Sequence, residues 1–353
     1  MRFNSNIGLI FGIWFLSIII TAYFGFVSFP NSQRFSSSFL KSFANWDGGH
    51  YIGIAEFGYT EKFQYAFFPL YPLLIRIIYS VTHDYLIAAL AISISSTFIA
   101  INLLYRLIGD NFDKGVAQKT ISYLIFFPTS FYFLTAYSEG LFFLLVVSTF
   151  YFLRTNRFFW ATLAASLASA TRLAGLAVVF ALLMEVYATK GINKKNWYAL
   201  LSSLGFVIYC WYLFTQTADP FYFVQAETHW LRNLSIPGVS FWESIKGLSS
   251  GYLITKNFNA FLDLAFAIFG VGMIIRAFRF LPISYSVYGL ISILLPLLSS
   301  SLSSIPRFLL PIFPIFILLA FIKNQHSVFA YQLISIMLLA VFITLFMNGY
   351  WVS

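Results

Sequence analysis

The densest group of chemistry-bearing side chains is NWDGGHY at 45–51, followed by IAEFGY at 54–59 and FFPLYP at 67–72. Asp47 has an indole, Trp46, on one side and two glycines on the other, so its carboxylate is partly dehydrated yet open to close approach. Those are the requirements of a general base. If a helix begins near Gly48, His50 shares the face of Asp47 and can donate to a phosphate or to the carboxylate. An aspartate before a helix is also a common N-cap, so base and cap both stand as readings of Asp47.

Three further groups carry polar side chains in apolar surroundings. In TAYSEGLFF at 135–143, Ser138 and Glu139 form an outer turn where Glu139 is either a reserve base or, with Ser138, a helix cap. Arg172 in SATRLAG (169–175) sits among small residues that let helices approach, and a buried guanidinium there needs a carboxylate or a lipid phosphate. Arg307 in SSIPRFLLPIFP (303–314) repeats the theme, with snorkelling as its alternative. DPFYFVQAETHWLR at 219–232 collects Gln225, Glu227, His229, Trp230 and Arg232, a mixture of rings and hydrogen-bonding groups suited to a sugar or headgroup. An amphipathic interfacial helix is the other reading of that stretch.

Metal and nucleotide chemistry find little support. His50, His83, His229 and His326 are dispersed, with no HxxxH or DxD spacing, so no resident metal or cofactor is expected. No glycine-rich phosphate loop marks a soluble nucleotide donor. The +9 net charge is scattered through short loops, which argues against nucleic acid as partner.

The elements that position these groups are read from hydropathy. Of 353 residues 60% are hydrophobic and 9% charged, a balance that water does not solvate. Apolar runs long enough to cross a bilayer as helices recur from end to end, without the alternation of barrel strands. The reading is an all-α polytopic bundle forming one domain, with about eleven transmembrane helices. Their approximate bounds are 7–29, 86–107, 118–136, 140–153, 158–171, 173–188, 197–216, 258–275, 284–303, 308–322 and 328–349. The fifth and sixth could instead be one long tilted helix. The first run, with no small-residue cleavage site, reads as retained rather than cleaved. Cys210 lies within a span, which leaves no partner for an intrachain disulfide.

A cytoplasmic N-terminus places Arg2, Arg106, Lys114, Lys119, Arg154, Arg157, Lys190, Lys194, Lys195, Arg276, Arg279 and Lys323 inside, in accord with the positive-inside rule. Two long segments, 30–85 and 217–257, then face outward with the candidate motifs. Within the first, residues 67–81 carry Pro69, Pro72 and Arg76 and read as an interfacial helix rather than a span.

In this order along nearly the whole chain, NWDGGHY, IAEFGY, FFPLYP, FLTAYSEG, SATRLAG, DPFYFVQAETHW and PRFLLPIFP resemble the family of glycosylphosphatidylinositol mannosyltransferase II and its prokaryotic relatives, which are type C glycosyltransferases. The resemblance implies transfer of a sugar, typically mannose, with inversion from a polyprenyl phosphate donor on the extracytoplasmic face. It implies Asp47 as base, and Arg172 and Arg307 as groups that steady the departing phosphate. Trp46, His50, Tyr51, Glu139, Gln225 and Trp230 join the arginines as substrate-binding candidates, and no divalent cation is called for. The expected setting is a prokaryotic plasma membrane, with membrane lipids around the chain and an accessory subunit as a further partner. The acceptor, a glycolipid or other glycan, is left open. The competing class is a lipid-linked sugar flippase, which predicts midplane charges and a two-fold repeat.

Overall fold

The computed structural model describes residues 5–29, 33–191, 193, 196–249 and 258–352. Arg2, Lys194 and Lys195 lie outside the described residues, as do 30–32 of the first long segment and 250–257 of the second. In chain order the helices are α1 Ser5–Ser28, α2 Asp47–Phe57, α3 Leu70–Thr82, α4 Tyr85–Asn111, α5 Lys114–Ile125, α6 Glu139–Arg154, α7 Phe158–Ser169 and α8 Gly175–Lys190. They continue as α9 Leu204–Thr217, α10 Tyr222–Ala226, α11 Val239–Ser249, α12 Phe258–Phe280, α13 Ile283–Leu297, α14 Ile305–Leu309, α15 Phe313–Ala320 and α16 Gln325–Met347. Among the described residues the β structure amounts to one isolated bridge, Leu234 to Ser299.

The architecture is that of a polytopic helical membrane protein. Five helical stretches among the described residues are long and apolar enough to cross a bilayer: Asn6–Ser28, Tyr85–Asn111, Trp197–Thr217, Asn259–Phe280 and Gln325–Met347. Their outward faces are apolar, with Leu9, Leu16 and Phe24 exposed on α1 and Met337 and Val341 on α16, as lipid contact requires. Polar residues start several helices. The Asp84 carboxylate accepts from Ile87 N at 3.0 Å, Asp113 from Val116 N at 2.8 Å, and Asn324 from His326 N at 2.9 Å.

Besides these five stretches, several of the apolar runs form shorter helical pieces. The run 118–136 stops as a helix at Ile125 and passes through Pro128 into a 3₁₀ turn, Ser130–Leu134. The run 308–322 is split into α14 and α15 around Pro311, and 284–303 ends as a helix at Leu297. Proline lacks the N–H a continuing helix needs. The segment 158–188 is two helices with a break at 170–174, which removes the alternative of one long helix. Residues 197–216 open as a 3₁₀ turn, Trp197–Ser203, before α9. α3 forms where an interfacial helix was expected; its 13 residues reach about 20 Å, short of a hydrocarbon core of roughly 30 Å.

The chain divides into two compact units, residues 1–58, 71–151 and 316–352 in the first and 59–70 and 152–315 in the second. In the first unit α4 and α6 touch at Gly140, where an added Cβ would lie 2.6 Å from the Ser93 carbonyl and 2.7 Å from Thr97 Oγ1. α1 meets α16 at Gly25, whose Cβ would lie 2.7 Å from Thr344 Oγ1. In the second unit Ser166 Oγ accepts from Gly205 N at 3.1 Å and Ser169 Oγ from Phe206 N at 3.0 Å, which fastens α7 to the start of α9.

Candidate active site

In the first unit the motif is set by a tight turn. Gly48 N donates to Asn45 O at 3.3 Å, and Trp46 has φ 58° and ψ −122°, the geometry of the second residue of a type II′ turn. Glycine ordinarily fills that place, and a tryptophan there stores strain of about 1–3 kcal/mol. The surroundings over-determine it. The Trp46 ring meets Phe35 edge-on at 5.0 Å and Trp351 at 5.3 Å. Asn45 Nδ2 donates to Phe346 O at 2.7 Å, and the Tyr137 hydroxyl donates to Asn45 O at 2.9 Å. Gly48 is wedged so closely that a Cβ would meet the Ala136 carbonyl and the Tyr137 ring at 3.3 Å.

The turn delivers Asp47 as the first residue of α2, with Trp46 in the capping position. The N-cap reading of Asp47 therefore gives way to that of a first-turn carboxylate, where the helix dipole favours negative charge. Asp47 is half-buried, and His50, three residues on, shares its face as anticipated.

The outer turn expected at Ser138 and Glu139 is buried, the two residues being 0% and 1% exposed. Glu139 opens α6, while Ser138 Oγ lies 2.9 Å from the Tyr51 hydroxyl. Tyr51 packs edge-on against Tyr71 at 5.1 Å, and the Tyr71 hydroxyl lies 2.8 Å from Ser93 Oγ. Ser93 Oγ in turn donates to Tyr137 O at 3.0 Å. Burial pushes the Tyr71 phenol well above the usual tyrosine range, the Ser93 bond opposing only in part, so it serves as a neutral hydrogen-bonding group. Ser93 was not foreseen. It is one hydroxyl in the apolar run of α4, and only the helix contact at Gly140 shows what it faces.

In the second unit three guanidinium groups gather round one ring. The Cζ atoms of Arg172, Arg232 and Arg307 lie 5.7, 5.1 and 5.5 Å from the Phe308 centroid. Arg307 is buried at 6% exposure. Arg232 donates to Ser303 O at 2.7 Å and stands 3.8 Å from a Glu227 carboxylate oxygen. The sequence reading gave Arg172 and Arg307 as phosphate-facing groups and Arg232 only as one of the polar residues of 219–232, not as a third member of this group. Its place becomes visible when the second long segment pairs with residues 298–303, through Ser235 N to Leu298 O at 2.7 Å and Ser300 N to Asn233 O at 2.9 Å.

The sugar-binding candidates at 219–232 separate. Trp230 is half-buried, edge-on to Phe63 at 5.6 Å and to Phe67 at 5.5 Å, and His229 stacks on Phe63 at 4.3 Å. Gln225 is exposed. A continuous amphipathic helix is not what forms: α10 is followed by a 3₁₀ turn, Glu227–Trp230, that ends at Leu231 with φ 57°. Among the described residues no group of three His, Cys, Asp or Glu side chains could hold a metal ion.

These features define a class: a polytopic helical membrane protein with a first-turn carboxylate on a locked loop and an arginine group built round a single phenylalanine. The profile of the family described as Mannosyltransferase (PIG-V) matches residues 26–230, more than half of the chain, and the chain belongs to that family. It is also similar to GPI mannosyltransferase 2 of Drosophila pseudoobscura pseudoobscura, 29% identical over 125 residues. That stretch covers 32% of this chain and only 28% of the relative's own length.

Proposed function

We propose that this chain is an inverting glycosyltransferase that moves a sugar, mannose by family, from a polyprenyl phosphate donor to a hydroxyl of a glycolipid or glycan acceptor. The observation that carries this reading is the family match, which includes the locked Asp47 turn, Arg172 and Trp230 within residues 26–230. Chemistry of this kind asks for two things: a base for the acceptor hydroxyl and stabilisation of a leaving phosphate.

Asp47 takes the acceptor's proton as the acceptor oxygen bonds to the sugar's anomeric carbon. The bond from that carbon to the phosphate oxygen breaks, and its electron pair leaves with the polyprenyl phosphate. Arg172, Arg307 and Arg232 take up the charge that develops on that phosphate. The catalytic face is extracytoplasmic and the N-terminus cytoplasmic, as the basic short connections near Arg154 and Arg157 suggest. Because the donor carries its own phosphate, the reaction needs no resident metal or cofactor.

The test is sugar transfer in proteoliposomes from polyprenyl phosphate mannose to a membrane lipid extract, wild type against Asp47→Asn. The amide keeps the side chain's shape but cannot hold a proton at neutral pH, so transfer should drop by about 100-fold or more. Full activity in Asp47→Asn removes Asp47 as the base. Translocation of the donor without transfer by the wild type would favour the flippase.

A further inference from the structure

The first unit contains an open cavity of about 460 Å³ bounded by α2, α3 and the start of α4. Lys41 and Glu56 stand on its rim with His83 and Asp84, and Tyr79 and Tyr85 form one wall. The two tyrosine rings stack at 4.0 Å with planes 10° apart, and the His83 ring meets Tyr79 edge-on at 6.3 Å. The frame is rigid. Arg76 clamps the end of α2 by donating to Ala55 O at 2.6 Å and Glu56 O at 3.1 Å. Asp84 spends one carboxylate oxygen capping α4, at 3.0 Å from Ile87 N. His83 holds φ at 53°, a left-handed conformation that a side-chain-bearing residue adopts at some cost, and its N–H donates to Tyr79 O at 2.8 Å.

The chemistry of the walls is mixed in a particular way. Lys41 and Glu56 are of opposite sign, yet neither enters an ion pair with any described residue. Cation and carboxylate are held apart around the same space, a donor and an acceptor left to a ligand. A lone ion would be repelled by one of the two, and an apolar guest would use neither, leaving both to water. A ring with hydroxyls around its edge and C–H groups on its face satisfies all of it: hydroxyls donate to Glu56, accept from Lys41 and His83, and the face lies on the tyrosine wall.

We infer that this cavity binds a pyranose ring of the acceptor, an inference that rests on the glycosyltransferase reading and extends it. The cavity lies at the first turn of the span Tyr85–Asn111, hence at a membrane boundary, where the head of a lipid-borne glycan sits. It is not the reacting centre. Glu56 is nine residues after Asp47 on α2, two and a half turns and roughly 13 Å along the axis, and so on the opposite face. The ring held here is an anchoring sugar, one or two units removed from the hydroxyl that reacts.

The experiment uses the full chain in nanodiscs and saturation-transfer NMR with methyl α-mannopyranoside, methyl α-glucopyranoside and glycerol as probes. Glu56 and Lys41 are exposed, so Glu56→Gln and Lys41→Met leave the fold intact. One of the two glycosides should bind the wild type and Asp47→Asn alike, and each rim variant should weaken it by about tenfold, the worth of one charge-assisted hydrogen bond. In transfer assays the same variants should raise the acceptor's KM and leave the donor's unchanged. No glycoside signal from the wild type, equal binding by both rim variants, or equal competition by glycerol overturns the inference. Glycoside binding that depends on Glu56 and Lys41 in a protein that transfers no sugar would uphold the cavity while the transferase reading falls.

Discussion

Trp46 shows how one residue's backbone positions the candidate base. Its type II′ geometry suits glycine, and it is kept by ring contacts to Phe35 and Trp351 and by the Asn45 bond to Phe346. Two substitutions separate strain from packing. Trp46→Ala loses the rings and keeps the strain; Trp46→Gly loses the rings and relieves it. Trp46→Gly should therefore be the more stable by about 1 kcal/mol, measured as the difference in thermal unfolding midpoint in detergent. Equal midpoints would mean that the turn costs nothing. The motif itself was legible, because NWDGGHY concentrates an acid, a histidine and two glycines in an apolar chain. Ser93 was not, nor was the grouping of Arg232 with Arg172 and Arg307, since Ser93 and Arg232 owe their places to partners 44 and 71 positions away, Tyr137 and Ser303.

At the scale of elements, length separates what hydropathy revealed from what it concealed. The runs that became α1, α12 and α16 are long and largely outward-facing, so their composition reported a helix in lipid directly, whereas the equally apolar α4 is more than half buried. Residues 309–320 are just as apolar but almost wholly buried among other side chains, as are residues 127–139, which mix aromatics with Thr129, Ser130, Thr135 and Ser138. Broken backbone is tolerated there because protein supplies its hydrogen bonds: Ser130 N reaches Phe127 O at 2.9 Å, and Thr97 Oγ1 reaches Phe133 O at 3.1 Å. An apolar run does not tell a lipid-facing span from a protein-filled core. The packing between helices is testable at Gly140. In Gly140→Ala the new Cβ would sit 2.6 Å from the Ser93 carbonyl, forcing α4 from α6. The loss should be about 1–3 kcal/mol, read as a lowered unfolding midpoint, and Gly53→Ala, with nothing within 4 Å, is the matched control.

For the whole molecule the question is which side of the membrane each motif faces. The proposed orientation puts Thr228 outside and Lys114 inside. Cys210 is the only cysteine and is buried, so single cysteines introduced at exposed positions report cleanly. Thr228→Cys should react with an impermeant maleimide on intact cells, and Lys114→Cys only after permeabilisation. The opposite pattern would place the 219–232 segment in the cytoplasm and remove the extracytoplasmic reading.

The Asn45 to Phe346 bond joins residues 301 positions apart, so it also orders events in time. At synthesis rates of roughly 5–20 residues per second, the strained turn waits between about a quarter of a minute and a minute for the helix that secures it. Until α16 is inserted, the early helices can be in the bilayer while Asp47 has no fixed seat. Assembly of the last helix thus completes the motif's setting, and a chain stalled before it would be membrane-bound with the NWDGGHY turn still unsecured.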